Sequence, residues 1–259
     1  MTEEACRLID SHAHLEELDP LDLDGAIDRA RQAGIVAIVA VGSELESNHR
    51  VLEIAARHDG FVYPALGLHP GVLDRVGPGL DRELQFIESH LGRAVAIGEV
   101  GLDYHKRALA GAGKERQQAV FRTLLSLGRQ HRKPVIIHSR YAWKDSLALA
   151  RDSGVEAAVF HWFTGPTGVL RGILEAGYHL SATIAAEYHA EHRAAVREVP
   201  LDRLLLETDC PVPYRGRRSE PADVRRSLLA AAAIKGVSPE VLASHTTQNA
   251  VRLFRLPAA

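Results

Sequence analysis

The sequence predicts an α/β protein folded as a closed (β/α)8 TIM barrel, a single domain over residues 1–259. Three observations support this fold class. Short β-rich runs alternate with longer segments whose apolar residues recur at helical spacing, which indicates βαβ units and a parallel sheet. Eight such runs can be counted. The length of 259 residues is ordinary for a barrel of eight units.

The elements follow one another in a regular order. Between the predicted strands lie helical segments such as "LDGAIDRARQAG" and "ERQQAVFRTLLSLGRQH", and "SPEVLASHTTQNAVRLF" reads as a final helix with Ser238 as N-cap and Pro239 in its first turn. An open doubly wound sheet is the alternative, but no glycine fingerprint for a dinucleotide follows the first strand. The predicted strands are Arg7–His14, Ile35–Gly42, Val62–His69, Ala94–Gly101, Pro134–Arg140, Ala157–Phe163, Tyr178–Thr183 and Arg203–Asp209.

Composition narrows the class of protein. Apolar residues make up 46% and charged residues 25%, the balance of a soluble domain with a substantial core. No apolar run of membrane-spanning length occurs, and the acidic start "MTEEACRLID" lacks the features of a secretory signal, so we expect a cytoplasmic protein. Cys6 and Cys210 are too few for a disulfide framework or a thiolate metal cluster. The net charge of −2 argues against a broad surface that coats phosphates, but leaves room for a phosphate-bearing substrate in one positive cleft.

Polar side chains follow most of the predicted strands, at the end of a barrel where catalytic residues lie. Side chains two apart on a strand point the same way, so His12 and His14 should face the barrel axis and Ala13 the helices. A lone histidine after an apolar run is more often structural than a ligand, and a lone carboxylate such as Asp103 is often a helix N-cap. The strand ends carry His12, His14, His69, Glu99, Asp103, His138, Arg140, His161 and Asp209.

Four of these histidines and two of these carboxylates are predicted to lie on one face, which favours a metal site. An unpaired buried charge is costly, and a divalent cation satisfies several such groups together. Imidazole and carboxylate without thiolate suit zinc, manganese, iron, cobalt or nickel. Six ligands exceed those of one catalytic zinc, whereas two metals bridged by a carboxylate accommodate six. Such centres suit displacement at phosphorus and hydrolysis of esters and amides. The histidines in helical stretches are interpreted as surface residues: His58, His90, His131 and His192.

A series of motifs resembles the TatD family of metal-dependent hydrolases, in the family's order from Ile9 to Phe254. The motifs are "IDSHAHL", "GLHP", "IGEVGLDYH", "RQQAVF…KPVIIHSR", "HWFTG", "LLLETDCP" and "TTQNAVRLF". The resemblance implies a metal-bearing TIM barrel of the amidohydrolase superfamily and deoxyribonuclease activity on phosphodiester bonds. It also implies two divalent ions per chain, which could be zinc, manganese, magnesium, nickel or iron.

Carried over position by position, the resemblance divides the ligands between the two ions. His12, His14 and Asp209 would hold one, His138 and His161 would hold the other, and Glu99 would bridge them. Gly71 stands where many members have a second histidine, Trp162 stands where cysteine is common, and "TDCPVPYRGRRSEP" is contracted. These departures remove no implied ligand, but they change the loops that shape the cleft.

The expected mechanism gives Asp209 and Glu99 the catalytic roles: the metals would lower the pKa of a bound water, and Asp209 would accept the proton of that water as the hydroxide forms. His69, Arg140 and Arg215 are candidate contacts to the substrate phosphate, although the "RGRR" stretch could equally be a solvated loop. Two more carboxylates, Asp10 and Glu207, lie two residues below ligands on the same strand faces. They could orient imidazoles, or could simply be buried polar residues paired within the barrel.

The favoured function is a 3'-5' exonuclease-like deoxyribonuclease acting on single-stranded DNA or short oligonucleotides, with no membrane association and no obligate protein partner. One alternative is an amidohydrolase-type enzyme cleaving a cyclic amide, a lactone or an aminoacyl-tRNA ester. Many such enzymes bridge their metals with a carboxylated lysine from the fourth strand, where this chain has Glu99. Another is a non-catalytic metal-binding protein, against which the complete ligand set, including Asp209, argues.

Overall fold

Eight parallel strands form one sheet in chain order, as the sequence predicts, in a computed structural model that describes residues 6–257. The sheet closes where the backbone N–H of His14 donates to the carbonyl of Cys210 at 2.8 Å and that of Asp209 donates to the carbonyl of His12 at 2.9 Å. The fold is a (β/α)8 barrel. Its strands are β1 (Leu8–Ala13), β2 (Ile35–Val41), β3 (Val62–Leu66), β4 (Ala96–Asp103), β5 (Val135–Arg140), β6 (Ala158–Phe160), β7 (His179–Ala182) and β8 (Leu204–Leu206).

Helices connect successive strands and cover the barrel. The final helix begins as predicted, because Pro239 lies in its first turn and the hydroxyl of Ser238 accepts from the Val241 N–H at 3.4 Å. A small hairpin, β9 (Pro213–Tyr214) and β10 (Arg217–Arg218), follows β8. The helices are α1 (Leu23–Gln32), α2 (Leu45–Arg57), α3 (Leu73–Val76), α4 (Leu80–His90), α5 (Lys106–Gly111), α6 (Lys114–Gln130), α7 (Trp143–Ser153), α8 (Thr167–Glu175), α9 (Ala190–Glu198), α10 (Val224–Lys235) and α11 (Pro239–Phe254).

The core has two layers, one on each face of the curved sheet. Inside the barrel, Val39, Ile136 and Leu205 belong to one buried cluster, which also includes Phe254 at the end of α11. Outward-facing strand residues such as Ile137 belong to the larger cluster shared with the helices. Alternation along each strand thus buries both faces, as a barrel covered by helices requires.

Two strands reverse this alternation just before the polar residues. In β1, Ile9 lies in the interior cluster but Ala13, four residues on, lies in the outer one, and the pairing register shifts between Asp10 and Ala13. In β4 the register shifts between Ile97 and Val100. Such irregularities re-aim side chains. They turn the side chains of His12 and Glu99 toward the barrel axis.

His192 is a correction to the sequence analysis, which placed it on the surface. It is 1% exposed, and its ring links two backbone groups. The Thr183 N–H donates to Nε2 at 3.0 Å, and Nδ1 donates to the carbonyl of Phe163 at 3.0 Å. The imidazole fastens α9 to the loops after β6 and β7.

Every helix within residues 6–257 is too short or too polar to cross a bilayer. Residues 1–5, on which the expectation of no secretory signal partly depends, lie outside the described residues.

Candidate metal centre

Glu99 lies at the middle of a cluster of imidazoles at the carboxyl ends of the strands. Its carboxylate is 3% exposed, and its two oxygens face different pairs of histidines. Oε1 lies 2.7 Å from Nδ1 of His138 and 2.7 Å from Nε2 of His161. Oε2 lies 3.3 Å from Nε2 of His14 and 3.5 Å from Nε2 of His12. One carboxylate therefore lies between two pairs of ligand-type nitrogens.

Asp209 completes the first of these groups. Its Oδ1 lies 3.5 Å from Nε2 of both His12 and His14. His69 approaches the second group, with Nε2 3.7 Å from Oε1 of Glu99. The structure thus brings together all six residues that the sequence singled out as ligands, and adds His69, which the sequence assigned to substrate.

The donor atoms fit divalent cations. The facing nitrogens of His12 and His14 lie only 3.3 Å apart, as do those of His138 and His161. Burial would raise the pKa of Glu99, but the imidazoles of His161 and His12 hold it well below its usual range. Nitrogen donors and an anionic carboxylate in a buried cluster are what zinc, manganese, nickel and iron take.

Two glycines allow the segments of β3 and β5 to pack closely against β4, the strand that carries Glu99. A Cβ on Gly67, in "GLHP", would collide with the backbone of Gly98 and Glu99. Gly101, in "IGEVG", has φ +146°, and a Cβ there would collide with the backbone of His138. The glycines in these motifs are therefore required by the packing of β3 and β5 against β4.

Buried carboxylates stand behind two of the imidazoles, on the side away from Glu99. Oε1 of Glu207 lies 3.5 Å from Nδ1 of His161 and accepts from the Trp162 N–H at 3.1 Å. Oε1 of Glu16 lies 3.6 Å from Nδ1 of His14. The sequence analysis missed Glu16, although its position two residues after His14 in "HAHLEE" was a usable signal.

Asp10 does not contact an imidazole, which corrects the predicted role. Its Oδ1 accepts from the Thr208 N–H at 2.9 Å and the His12 N–H at 3.3 Å, and its Oδ2 accepts from the Thr208 hydroxyl at 2.6 Å. The prediction assumed unbroken alternation from Asp10 to His12, and the register shift in β1 removes it. Asp10 instead joins β1 to the backbone that carries Asp209.

The two arginines that the sequence predicted to contact phosphate do not both lie free in the cavity over the cluster. Arg140 directs Nε and Nη2 at the buried carboxylate of Asp103, with Nη2 2.6 Å from Oδ2. Arg215 lies at the turn of the β9–β10 hairpin, with its guanidinium 4.9 Å from the ring centre of Tyr188, and it is not among the residues that line the cavity over the cluster. The structure therefore gives Arg140 a buried partner and leaves Arg215 outside the cavity wall.

A cavity of about 760 Å³ opens over the histidines. Aromatic side chains form part of its wall: Tyr141, which is 59% exposed, Trp143, whose ring centre lies 5.6 Å from that of Tyr141, and Trp162 beside His161. A second cavity of about 790 Å³ shares His14, Glu17, His69 and Glu99 with the first and reaches Arg50 and Arg75. The cluster thus lies where two cavities meet.

Comparisons with known proteins agree with this architecture. The model of the family described as TatD related DNase matches residues 9–255. The chain is 37% identical to the uncharacterized metal-dependent hydrolase YabD of Bacillus subtilis, over 96% of this chain and 99% of that protein. It is 35% identical to human deoxyribonuclease TATDN3, over 95% of this chain and 94% of that protein.

Among solved structures, the TatD homologue YJJV of Escherichia coli superposes with a TM-score of 0.88 and 28% identity, over 98% of this chain and all of that one. The match covers the barrel and its connecting helices. This chain belongs to the TatD family.

Proposed function

We propose that this chain is a metal-dependent hydrolase of phosphodiester bonds that removes nucleotides from single-stranded DNA, with two divalent cations at the cluster around Glu99. The position of the two Glu99 carboxylate oxygens carries this proposal: one oxygen faces His12 and His14, and the other faces His138 and His161. Asp209 would join the first pair. A shared carboxylate between two sets of nitrogens is the arrangement that a two-metal centre needs.

When bound, the two cations would lower the pKa of a water molecule and stabilise negative charge on the phosphoryl oxygens. Asp209 can then accept the proton from the attacking water. Burial opposes ionisation of Asp209, but the neighbouring His14 and His12 lower its pKa, so the carboxylate is anionic at neutral pH. The water oxygen bonds to phosphorus, the bond from phosphorus to the ester oxygen breaks, and that oxygen leaves with the proton that Asp209 accepted.

His69 suits the substrate side of this site. Burial lowers its pKa to about 3, so the ring is neutral at physiological pH and offers one N–H donor rather than a charge. His69 lies at the junction of the two cavities. A neutral N–H donor there can form a hydrogen bond with a phosphoryl oxygen without adding a positive charge that would repel the cations.

The aromatic wall supports a nucleic-acid substrate. Bases stack on exposed aromatic rings with about 1–3 kcal/mol per base, and only unpaired bases present their faces. Tyr141 and Trp143 offer such faces on the cavity wall that also contains His138. The name of the human relative, deoxyribonuclease TATDN3, points to the same substrate class.

The test is cleavage of end-labelled single-stranded DNA by protein stripped of metal and titrated with zinc, manganese, magnesium, nickel or iron. We expect two ions per chain by elemental analysis, cleavage only with metal, and loss of both ions and activity in Glu99→Ala. Glu53→Ala, an exposed glutamate on α2, is the matched control. Labels at either end distinguish 3'-5' from 5'-3' removal.

Two results would contradict the proposal in different ways. Two bound ions without cleavage of DNA would reject the substrate, and esters, amides and aminoacyl-tRNA would then be tested on the same protein. Failure to bind more than one ion per chain would reject the two-metal centre itself.

A further inference from the structure

A separate cavity of about 240 Å³ lies at the other end of the barrel, which we call the basal pocket. It opens among the segments that lead into β5, β6, β7 and β8. Lys133 lies on its wall, five residues before His138 on the same strand run, so about 16 Å of strand separates the pocket from the metal cluster. Its charged and titratable lining residues are Arg129, Arg132, Lys133, Glu156, His179, Arg203, Arg252 and Arg255.

The basal pocket concentrates positive charge in a chain whose net charge is −2. Six of its lining side chains are lysine or arginine, and Glu156 is the one carboxylate among the lining residues. Arg203 pairs with Asp202 at 3.1 Å. Over residues 6–257, no carboxylate lies within ion-pair distance of Arg129, Arg132 or Arg255.

The other two cations are held by neutral groups. Lys133 donates from Nζ to the carbonyl of Ala94 at 2.6 Å, and Arg252 donates to the side-chain oxygen of Asn249. These contacts position the cations without neutralising them. The positive potential acts on its neighbours, because Arg255 adds to the effect of burial in lowering the pKa of Lys133.

Two of the arginines occupy backbone positions that favour glycine. Arg132 has φ +51° and Arg255 has φ +53°, and a side chain is strained in this left-handed region of backbone conformation. Arg129 and Arg252 lie in the last turns of α6 and α11, where the helix dipole favours a cation. The helix dipole accounts for Arg129 and for Arg252 individually. It does not explain why six cationic side chains line one cavity.

A neutral imidazole stands beside these cations. Nδ1 of His179 is buried and has no hydrogen-bond partner within the described part of the chain. Burial, and then Arg203, lower the pKa of His179 to about 4, so the ring is neutral at physiological pH and can donate one N–H. The pocket thus offers guanidinium forks and a neutral donor.

We propose that the basal pocket binds a phosphate group, carried either by inorganic phosphate or by a mononucleotide. Guanidinium groups match phosphate oxygens in pairs of parallel hydrogen bonds, and a dianion balances more of the cluster than a carboxylate does. The small cavity admits one phosphate-bearing molecule and lies away from the metal cluster, so this site does not depend on the proposed function.

The test is calorimetric titration of metal-loaded protein with inorganic phosphate and, separately, with adenosine monophosphate. We compare wild type with the double variant Arg132→Gly/Arg255→Gly. Glycine suits both backbone positions, so this variant should unfold no earlier than wild type while losing two charges. We expect it to bind phosphate about tenfold or more weakly. Any binding at the metal centre is common to both proteins and cancels in the comparison.

Arg129→Ala, a helix-compatible change, gives a second measurement, and we expect the same direction. Arg122→Ala/Arg171→Ala, exposed arginines of α6 and α8 outside the pocket, is the matched control and should bind like wild type. Tighter binding of adenosine monophosphate than of phosphate identifies a nucleotide site, and equal binding identifies a phosphate site. Equal affinity in wild type and both pocket variants, or an equal loss in the control, would overturn the proposal.

Discussion

The carboxylate of Asp103 lies between Arg140 and His138: its Oδ2 is 2.6 Å from Nη2 of Arg140 and 3.5 Å from Nε2 of His138. Asp103 is 1% exposed, and burial would raise its pKa. The contacts with His138 and Arg140 instead hold that pKa well below its usual range. Arg140 therefore keeps Asp103 charged, and Asp103 stands behind His138, an imidazole of the proposed metal centre.

We predict that Arg140→Ala weakens binding of the cation at His138 and His161 by about 10–100-fold, the usual cost of removing a group that orients a ligand. Asp103→Asn should do the same. If Arg140 instead contacts the substrate phosphate directly, Arg140→Ala should raise KM for DNA and leave the metal affinity unchanged. Competition with a chelating dye measures the metal affinity, and Arg122→Ala serves as the exposed control.

Glu16 stands behind His14 in the same way. It is 4% exposed, and neither side-chain oxygen has a hydrogen-bond partner within residues 6–257. We predict that Glu16→Gln lowers the affinity for the cation at His12 and His14 by about 10–100-fold, because an anion facing Nδ1 strengthens the imidazole as a ligand. Metal titration measures the loss. Unchanged affinity, with Glu53→Gln as the control, would show that Glu16 is only a buried residue.

The sequence predicted the barrel, and it predicted which side chains meet at the carboxyl end of that barrel, because both depend on strand ends. Seven of the eight predicted runs contain an observed strand, and the fourth, 94–101, overlaps β4, which continues two residues further to Asp103. Residues at the carboxyl ends of parallel strands meet at one end of a barrel, and this rule alone predicts which side chains lie together. His138 and His161 required nothing more, because β5 and β6 keep their alternation through Ile136 and Val159.

The errors arise where side chains depend on contacts that no periodicity encodes. Asp10 was misassigned because the register shift in β1 lies between it and His12. Arg140 looked like a free cation because its partner, Asp103, lies 37 residues away along the chain. His192 looked exposed because α9 is polar, yet two backbone groups from other segments meet its ring.

Tyr141 should contribute to substrate binding by stacking on a base. Removing one stacked ring costs about 1–3 kcal/mol, or roughly 5- to 150-fold in affinity. We predict that Tyr141→Ala raises KM for single-stranded oligonucleotides by an amount in this range. Tyr141→Phe, which keeps the ring, should behave like wild type.

The base itself is the control for this prediction. An oligonucleotide whose terminal nucleotides lack bases should be cleaved equally by wild type and Tyr141→Ala, because it offers nothing to stack. Cleavage assays over a range of substrate concentrations separate KM from kcat. A loss in Tyr141→Ala that is equally large on the abasic substrate would mean that the ring supports the loop instead of binding a base.

His192 makes the fold sensitive to acid. Burial lowers its pKa to about 4, and protonation of Nε2 would set an N–H against the N–H of Thr183 that it now accepts. The unfolded chain, with an ordinary histidine pKa near 6.5, binds a proton first as pH falls. This stabilising contribution is therefore complete above about pH 6.5 and is lost between pH 6.5 and 4, up to about 3 kcal/mol.

We predict that His192→Gln lowers the free energy of unfolding at pH 7.5, because it removes well-placed hydrogen bonds, but makes it less dependent on pH. The difference between wild type and the variant should shrink as pH falls from 6.5 toward 4. Urea unfolding at several pH values measures it, and release of bound metal at low pH affects both proteins alike. A difference that stays constant over that range would show that His192 does not titrate as its burial requires.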